Sequence, residues 1–174
     1  LAGFTNGLCG ENAKSLLGFY PIINNCNRAI ISIRESKALG KFASDANYAA
    51  KALSEALFNR AYSLYIMSTM YGEIFVPQGY TEELPSNYNY ARESVPNIYR
   101  MLITDLRYAY DHLPDVNEQN LTTDFGRATK GAAAHFLAKL YLQRAQGAKY
   151  GSSEYGVKAD GHVDTNNQKS YLGM

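Results

Sequence analysis

The sequence has no tryptophan and only two cysteines, Cys9 and Cys26, among 174 residues. Two cysteines are too few for a disulfide framework, and no C-x-x-C or Cys/His cluster offers a zinc site. A Cys9–Cys26 bridge would suit an oxidising compartment, but the plainer reading of Cys26 is a buried thiol on a helix face. An excess of one charge is also missing: 17 Lys and Arg against 16 Asp and Glu leave +1. Nucleic acid and anionic lipid are usually bound through a basic excess, so neither is expected as the main partner. No apolar run is long enough to span a bilayer, and no charged start followed by an apolar stretch marks a leader peptide. The motifs H-E-x-x-H, G-x-S-x-G and G-x-x-x-x-G-K-[ST] are absent, so no metal, acyl-transfer or phosphate chemistry is signalled and no cofactor or catalytic residue is assigned.

What is present is enough apolar material for a core, 46% of residues, and many tyrosines, 15 beside 7 Phe. Tyrosine joins a flat apolar face to a polar tip and suits wet, half-buried surfaces. The length fits one domain, or one domain with a tail. The chain begins at Leu1, and from Gly147 to Met174 it turns polar and glycine-rich. It therefore reads as a piece of something longer, in three stretches. Residues 1–14 are the end of a loop region, 15–146 a helical region, and 147–174 a linker to a further part.

Apolar periodicity predicts four helices. The first spans about Ser15 to Glu35 through Leu16, Phe19, Ile22, Ile23, Cys26, Ile30 and Ile33, with Pro21 suggesting that the regular part begins at Tyr20 or Pro21. The second follows an N-cap at Ser44-Asp45 and ends at Tyr71, with Gly72 as its C-cap and Pro77 closing the exit. Leu53, Leu57, Ala61, Leu64 and Ser68 form its stripe, which Phe58, Tyr62, Tyr65 and Met67 widen towards a second neighbour. Residues 73–92 read as a loop, and Ile74-Phe75-Val76 is the only strand candidate. The third helix starts near Ser94 and Pro96, buries Ile98, Leu102, Leu106 and Ala109, and stops at Leu113-Pro114. Thr129 caps the fourth, Lys130 to Arg144, which turns Ala133, Leu137, Leu140 and Tyr141 inward and whose Gly131 and alanines admit a close neighbour. The resulting fold class is all-α, helix pairs of tetratricopeptide-like type, although the period exceeds the usual 34 or so residues. Two pairs are fewer than the three repeats such arrays usually need, so neighbours are expected to be missing.

Four blocks carry a family resemblance. They are Asn25 to Ile30; Phe58, Arg60 and Ala61 leading to Tyr71-Gly72-Glu73-Ile74 and Pro77; Tyr99, Asp105-Leu106, Ala109 and Leu113-Pro114; and Gly126-Arg127-Ala128-Thr129-Lys130-Gly131-Ala132-Ala133 with Ala138 to Leu142. Their order and spacing over residues 20–145 resemble the SusD/RagB family of surface nutrient-binding lipoproteins of glycan-degrading Gram-negative bacteria. The resemblance implies a non-catalytic role in capturing a starch-like or other oligosaccharide, or a peptide in the RagB branch. It implies work beside a SusC-type TonB-dependent transporter at the cell outer membrane, through a lipid anchor that this chain does not carry. A tetratricopeptide adaptor that binds proteins is the reading from another class, and the Gly126–Ala133 block argues against it.

Sugar binding needs aromatic faces for the C–H side of a pyranose and amides or carboxylates for its hydroxyls. The family builds that site mainly from loops outside the helix pairs. In this chain the resemblance points to Phe4, Asn6 and Asn12 before the first helix; by its residues alone the 73–92 loop, with Tyr80, Tyr88, Asn89 and Tyr90, is a second candidate patch, which fits covering the helix ends or contacting the transporter equally well. The remaining ionisable residues read as structural. His112, His135 and His162 are scattered, Glu82-Glu83 are adjacent in a loop and cannot face each other across a sugar, and Asp105 is expected to pair with a neighbouring Arg or Lys or to cap a backbone group. Arg127 and Lys130 lie at a helix start, where an anion site is conceivable, but a salt bridge or loop-fixing role fits better.

Overall fold

The computed structural model describes residues 2–77, 79, 91–119, 122 and 124–150, with side chains from 18 to 146 within those ranges. It contains four helices, α1 (Ala2–Ala38), α2 (Ala46–Tyr71), α3 (Val95–His112) and α4 (Lys130–Tyr150), and a 3-10 turn at Val116–Glu118. Among the described residues the one extended pairing is an antiparallel bridge between Ile74 and Glu93, so the expected strand contributes a single contact. The all-α class and the helix-pair organisation are as expected from the sequence.

Each helix packs on the next in the chain: α1 on α2, α2 on α3, and α3 on α4. The pairs are antiparallel. Tyr20, early in α1, meets Phe75 just beyond α2, whereas Ile30, late in α1, clusters with Leu53 and Leu57. Phe58 meets Ala109 and Leu113 late in α3, and Arg144 late in α4 reaches the carbonyl of Pro96 at the start of α3. α2 is thus the central element, as the width of its apolar face predicts. Leu53, Leu57, Ala61, Leu64, Tyr65, Met67 and Ser68 are all buried, and only Tyr62 of that face is exposed. Burying aliphatic side chains of this size contributes roughly 1.5–3 kcal/mol each. The polar tips of the core tyrosines are satisfied by one amide: Tyr99 Oη donates to Gln143 Oε1, and Gln143 Nε2 donates to Tyr65 Oη, both at 3.3 Å.

The ends of the helices follow the caps. Asp45 accepts from the Tyr48 amide at 3.0 Å, and Thr129 Oγ1 accepts from the Ala132 amide at 3.2 Å. Gly72 ends α2 at φ 73°, a conformation that L side chains avoid, and its amide bonds the Ser68 carbonyl. Ser94 begins α3 but makes no side-chain cap; its buried Oγ has no partner among the described residues. Glu93 takes over, accepting from the Ser94 amide and from Asn97 Nδ2 with one carboxylate oxygen.

Several expectations are corrected. α1 begins at Ala2 and passes through Pro21, so the backbone of 2–14 is helical rather than loop. Proline removes only the bond to the Leu17 carbonyl, a loss that the turns on either side can carry. α4 continues to Tyr150, into the stretch expected as linker. Ile22 is exposed, because the buried stripe of α1 runs through Ile23, Cys26, Asn27 and Ile30. Gly131 is exposed, and a side chain there would meet only Thr129 Oγ1, at 3.9 Å and on its own helix end, so the close helix approach lies at buried Ala133 instead.

The helices are also joined by charge. Arg60 of α2 forms two parallel bonds of 2.8 Å to Asp105 of α3 and a third, at 2.9 Å, to Asn27 Oδ1 of α1. Asp105 and Asn27 are buried. Burial pushes the Asp105 carboxyl up, and the charges of Arg60 and Arg34 and the Arg60 hydrogen bonds draw it back down. A buried pair of this kind adds little over apolar packing, but breaking it strands a charge. Arg60→Met alone is expected to destabilise the chain by about 3–5 kcal/mol in urea unfolding, whereas Arg60→Met with Asp105→Leu recovers most of that loss. Equal destabilisation by the single and the double variant would contradict the role given to the pair.

Candidate functional site

The five ligand-contact candidates fall into two groups. Phe4, Asn6 and Asn12 are on the first turns of α1, not in a loop, and their side chains lie outside the described residues. Tyr88 and Tyr90, with Tyr80 and Asn89, also lie outside the described residues, as do Glu82-Glu83 and His162. The structure does show how the frame of the 78–90 segment is held.

At the entry, Asn27 of α1 donates both Nδ2 hydrogens to main-chain carbonyls, Pro77 at 3.1 Å and Gly79 at 3.0 Å. Its Oδ1 takes the Arg60 bond, so one buried amide fixes the α2 exit and is itself fixed by the ion pair. Tyr20 adds a second tie about two turns earlier on α1, its hydroxyl donating to the Phe75 carbonyl at 3.0 Å; burial raises its pKa and that bond partly offsets the rise. At the return, the Glu93 amide donates to the Ile74 carbonyl at 2.8 Å. The intervening segment therefore leaves from and returns to one anchored base. A cleft of about 260 Å³ opens beside that base, lined by Val76, Glu93, Asn97, Ile98, Arg100 and Met101. A carboxylate, an amide and a guanidinium over an apolar floor can hydrogen-bond hydroxyls, although the Glu93 carboxylate is already committed to the start of α3.

The other polar candidates are used structurally. Asp105 has the Arg60 partner that the sequence called for. Arg127 holds Glu55 of α2 with bonds of 2.6 and 2.9 Å, which raises its already high pKa, and Asp124 lies 3.9 Å away; this is the loop-fixing role. Lys130 sits 4.8 Å over the Tyr110 ring. His112 Nδ1 lies 2.9 Å from the Tyr108 carbonyl, so it carries the proton, and the two rings stack at 4.1 Å. His135 is exposed on α4 and meets the edge of Phe136. Cys26 is a free, buried thiol, not half of a bridge; burial raises its pKa, Arg60 lowers it and Asp105 raises it again. Among the described residues no group of three His, Cys, Asp or Glu side chains is arranged to hold a metal, and no helix is long and apolar enough to cross a membrane.

The loop clamp has no local signature in the sequence. Asn27 lies within the Asn25–Ile30 block and Arg60 within the Phe58–Ala61 block, but nothing local shows that the two side chains meet across 33 residues. The nearest signal is an asparagine on the apolar stripe of α1, a position that needs a buried polar partner.

Comparison with known proteins gives one consistent result. The profile of a SusD-like family described as starch-binding and associating with the outer membrane matches residues 12–142. A SusD-like protein of Bacteroides ovatus is 30% identical over 139 residues, which are 80% of this chain and 24% of that protein. One of Formosa agariphila is 29% identical over 145 residues. A crystal structure obtained with a xylogluco-oligosaccharide superposes with a TM-score of 0.63 at 27% identity, over 76% of this chain and 24% of that one. A SusD homologue of Bacteroides thetaiotaomicron shares the fold, with a TM-score of 0.68 at 22% identity over 78% of this chain and 25% of that one. The chain thus spans about a quarter of the length of the proteins it matches.

Two outcomes follow from this geometry. Asn27→Ala leaves the Pro77 and Gly79 carbonyls without their donor, and should cost about 1–3 kcal/mol while opening residues 78–90 to limited proteolysis. Cys26 should resist a thiol-disulfide reagent at pH 8 in the native chain and react promptly in urea; fast native labelling would refute its burial.

Proposed function

This chain belongs to the SusD-like family described as starch-binding and associating with the outer membrane, and from that membership we propose that it is part of a non-catalytic glycan-binding protein of the cell surface. The observation that carries the reading to particular residues is the anchored base of the 78–90 segment. Asn27 and the Ile74–Glu93 bridge tie both ends of a stretch that contains Tyr80, Tyr88, Asn89 and Tyr90. A stretch held at both ends loses less entropy on binding than a free one, so its tyrosine rings and amide can stack on and hydrogen-bond a sugar at lower cost.

In this reading Tyr88 and Tyr90 supply stacking faces, and Phe4, Asn6 and Asn12 add a second set of contacts from the start of α1. The ligand is a glucan-type oligosaccharide, a choice supported by the family description and by the xylogluco-oligosaccharide in the relative's structure. The near-zero net charge suits a neutral ligand. Glycan capture would feed a SusC-type TonB-dependent transporter in the outer membrane, with attachment through a lipid anchor outside these residues. No cofactor is required.

The test is calorimetric titration of the full chain with maltoheptaose, a laminarin oligomer, a xylogluco-heptasaccharide and a mixed peptide pool. Saturable binding of one glycan class without turnover is expected, weakened at least about tenfold by Tyr88→Ala with Tyr90→Ala. Peptide binding without a glycan response would replace the reading with a RagB-like one. No response to either would leave a protein-docking role.

A further inference from the structure

A second place in the molecule has the chemistry of sugar contact, far along the chain from the 78–90 segment. A cleft of about 480 Å³ opens where the first turns of α2 face the α3–α4 connection, between Asn47 and Lys51 on one side and Asp111, Glu118 and Lys130 on the other. Within the cleft Asp115 and Glu118 are engaged in a reciprocal cap of the 3-10 turn, and Lys130 sits over the Tyr110 ring. The side chains of Asn47, Lys51 and Asp111 make no hydrogen bond or ion pair among the described residues. Together they offer an amide, an ammonium and a carboxylate, one charge of each sign. That set matches a neutral ligand rich in hydroxyls better than an ion of either sign.

The same side of the molecule has two aromatic rings held out to water. Phe125 is 87% exposed and Tyr48 62%. Phe125 is not on a loose end. It sits between Asp124, whose carbonyl accepts from the Arg127 amide at 3.0 Å, and Gly126, which turns the chain at φ 82°. The Arg127 guanidinium then clamps the turn to Glu55. Tyr48, Lys51 and Glu55 follow one another at i, i+3 and i+7, so they share one face of α2. The clamp therefore brings the Phe125 turn to the face of α2 that carries Lys51 and Tyr48. A phenyl ring fixed in water forfeits roughly 1.5–3 kcal/mol of burial and gains no hydrogen bond. A fixed exposed ring beside unpaired polar groups is the composition of a sugar platform.

We propose that the cleft between the start of α2 and the α3–α4 connection is a second carbohydrate-contact site, in which Asn47, Lys51 and Asp111 bond the hydroxyls of a neutral glycan and Phe125, on the connection outside the cleft lining, stacks on a further pyranose of the same glycan. The proposal rests on the glycan-binding reading above and adds to it a separate place on the chain. Two contacts on one polymer raise avidity without strengthening either one.

The experiment is titration of the full chain with a xylogluco-heptasaccharide and with xyloglucan polymer. The variants are Phe125→Ala, Phe125→Tyr, Asn47→Ala with Lys51→Ala, and Tyr88→Ala with Tyr90→Ala. Phe125 is exposed, so its replacement leaves the fold intact, and circular dichroism checks this. The expected result for oligosaccharide is a fall from about two ligands per chain to about one in Phe125→Ala, with Phe125→Tyr retaining both. Polymer affinity should fall by about tenfold or more. The Tyr88/Tyr90 variant should keep the site at Phe125. One ligand per chain in the wild type, unchanged by Phe125→Ala, would overturn the second site and leave the first reading standing. No binding of either probe by any form of the chain would overturn both.

Discussion

A guanidinium buried among helices must be bonded on every side that faces the interior, and α1, α2 and α3 are arranged around that requirement. Arg60 faces the Asp105 carboxylate with one edge and the Asn27 amide with a remaining hydrogen. The geometry leaves little freedom, because a shift of one residue in any of the three helices would separate a donor from its acceptor around the buried Asp105 and Asn27. Apolar packing alone tolerates such slips more readily, since one aliphatic face resembles another. The polar network fixes register, and the surrounding core of Ile23, Leu64, Met67, Ile98, Leu102 and Leu106 supplies the bulk of the stability.

The network also reaches the surface. Asn27 passes the constraint to Pro77 and Gly79, so the base of the 78–90 segment inherits the precision of the helix core. The α3–α4 connection is held differently, by an exposed bidentate pair between Arg127 and Glu55 and by the cap of a short 3-10 turn. Exposed pairs of this kind are worth little in stability. Their effect is positional, setting where Phe125 stands. A rigid helical scaffold beneath and variable connecting segments above is the usual division between support and binding surface.

The helical class, the central place of α2 and most of the core were legible in the sequence, because periodicity, caps and breakers are local. Asp45, Gly72, Pro114 and Thr129 mark ends with residues whose preference for those positions has a simple backbone cause. Where pattern and structure part, the cause is different. Pro21 by itself suggests a helix start, whereas flanking turns carry the helix through it. Ile22 and Ile23 are equally apolar, but adjacent residues on a helix point about 100° apart and only one can follow a narrow stripe. The start of the third helix near Ser94 is legible, although Glu93, one residue earlier, makes the capping bonds there.

The sequence by itself determined which segments are helical and which of their faces are apolar, since both depend on interactions within a few residues. The family blocks were legible for the same reason. The tertiary structure decided which polar residues meet. Asn27 with Arg60 and Pro77, Arg60 with Asp105, and Arg127 with Glu55 are separated by 33, 50, 45 and 72 residues. A hydrogen bond is short and directional, so its partners are specified only once the helices have taken their places.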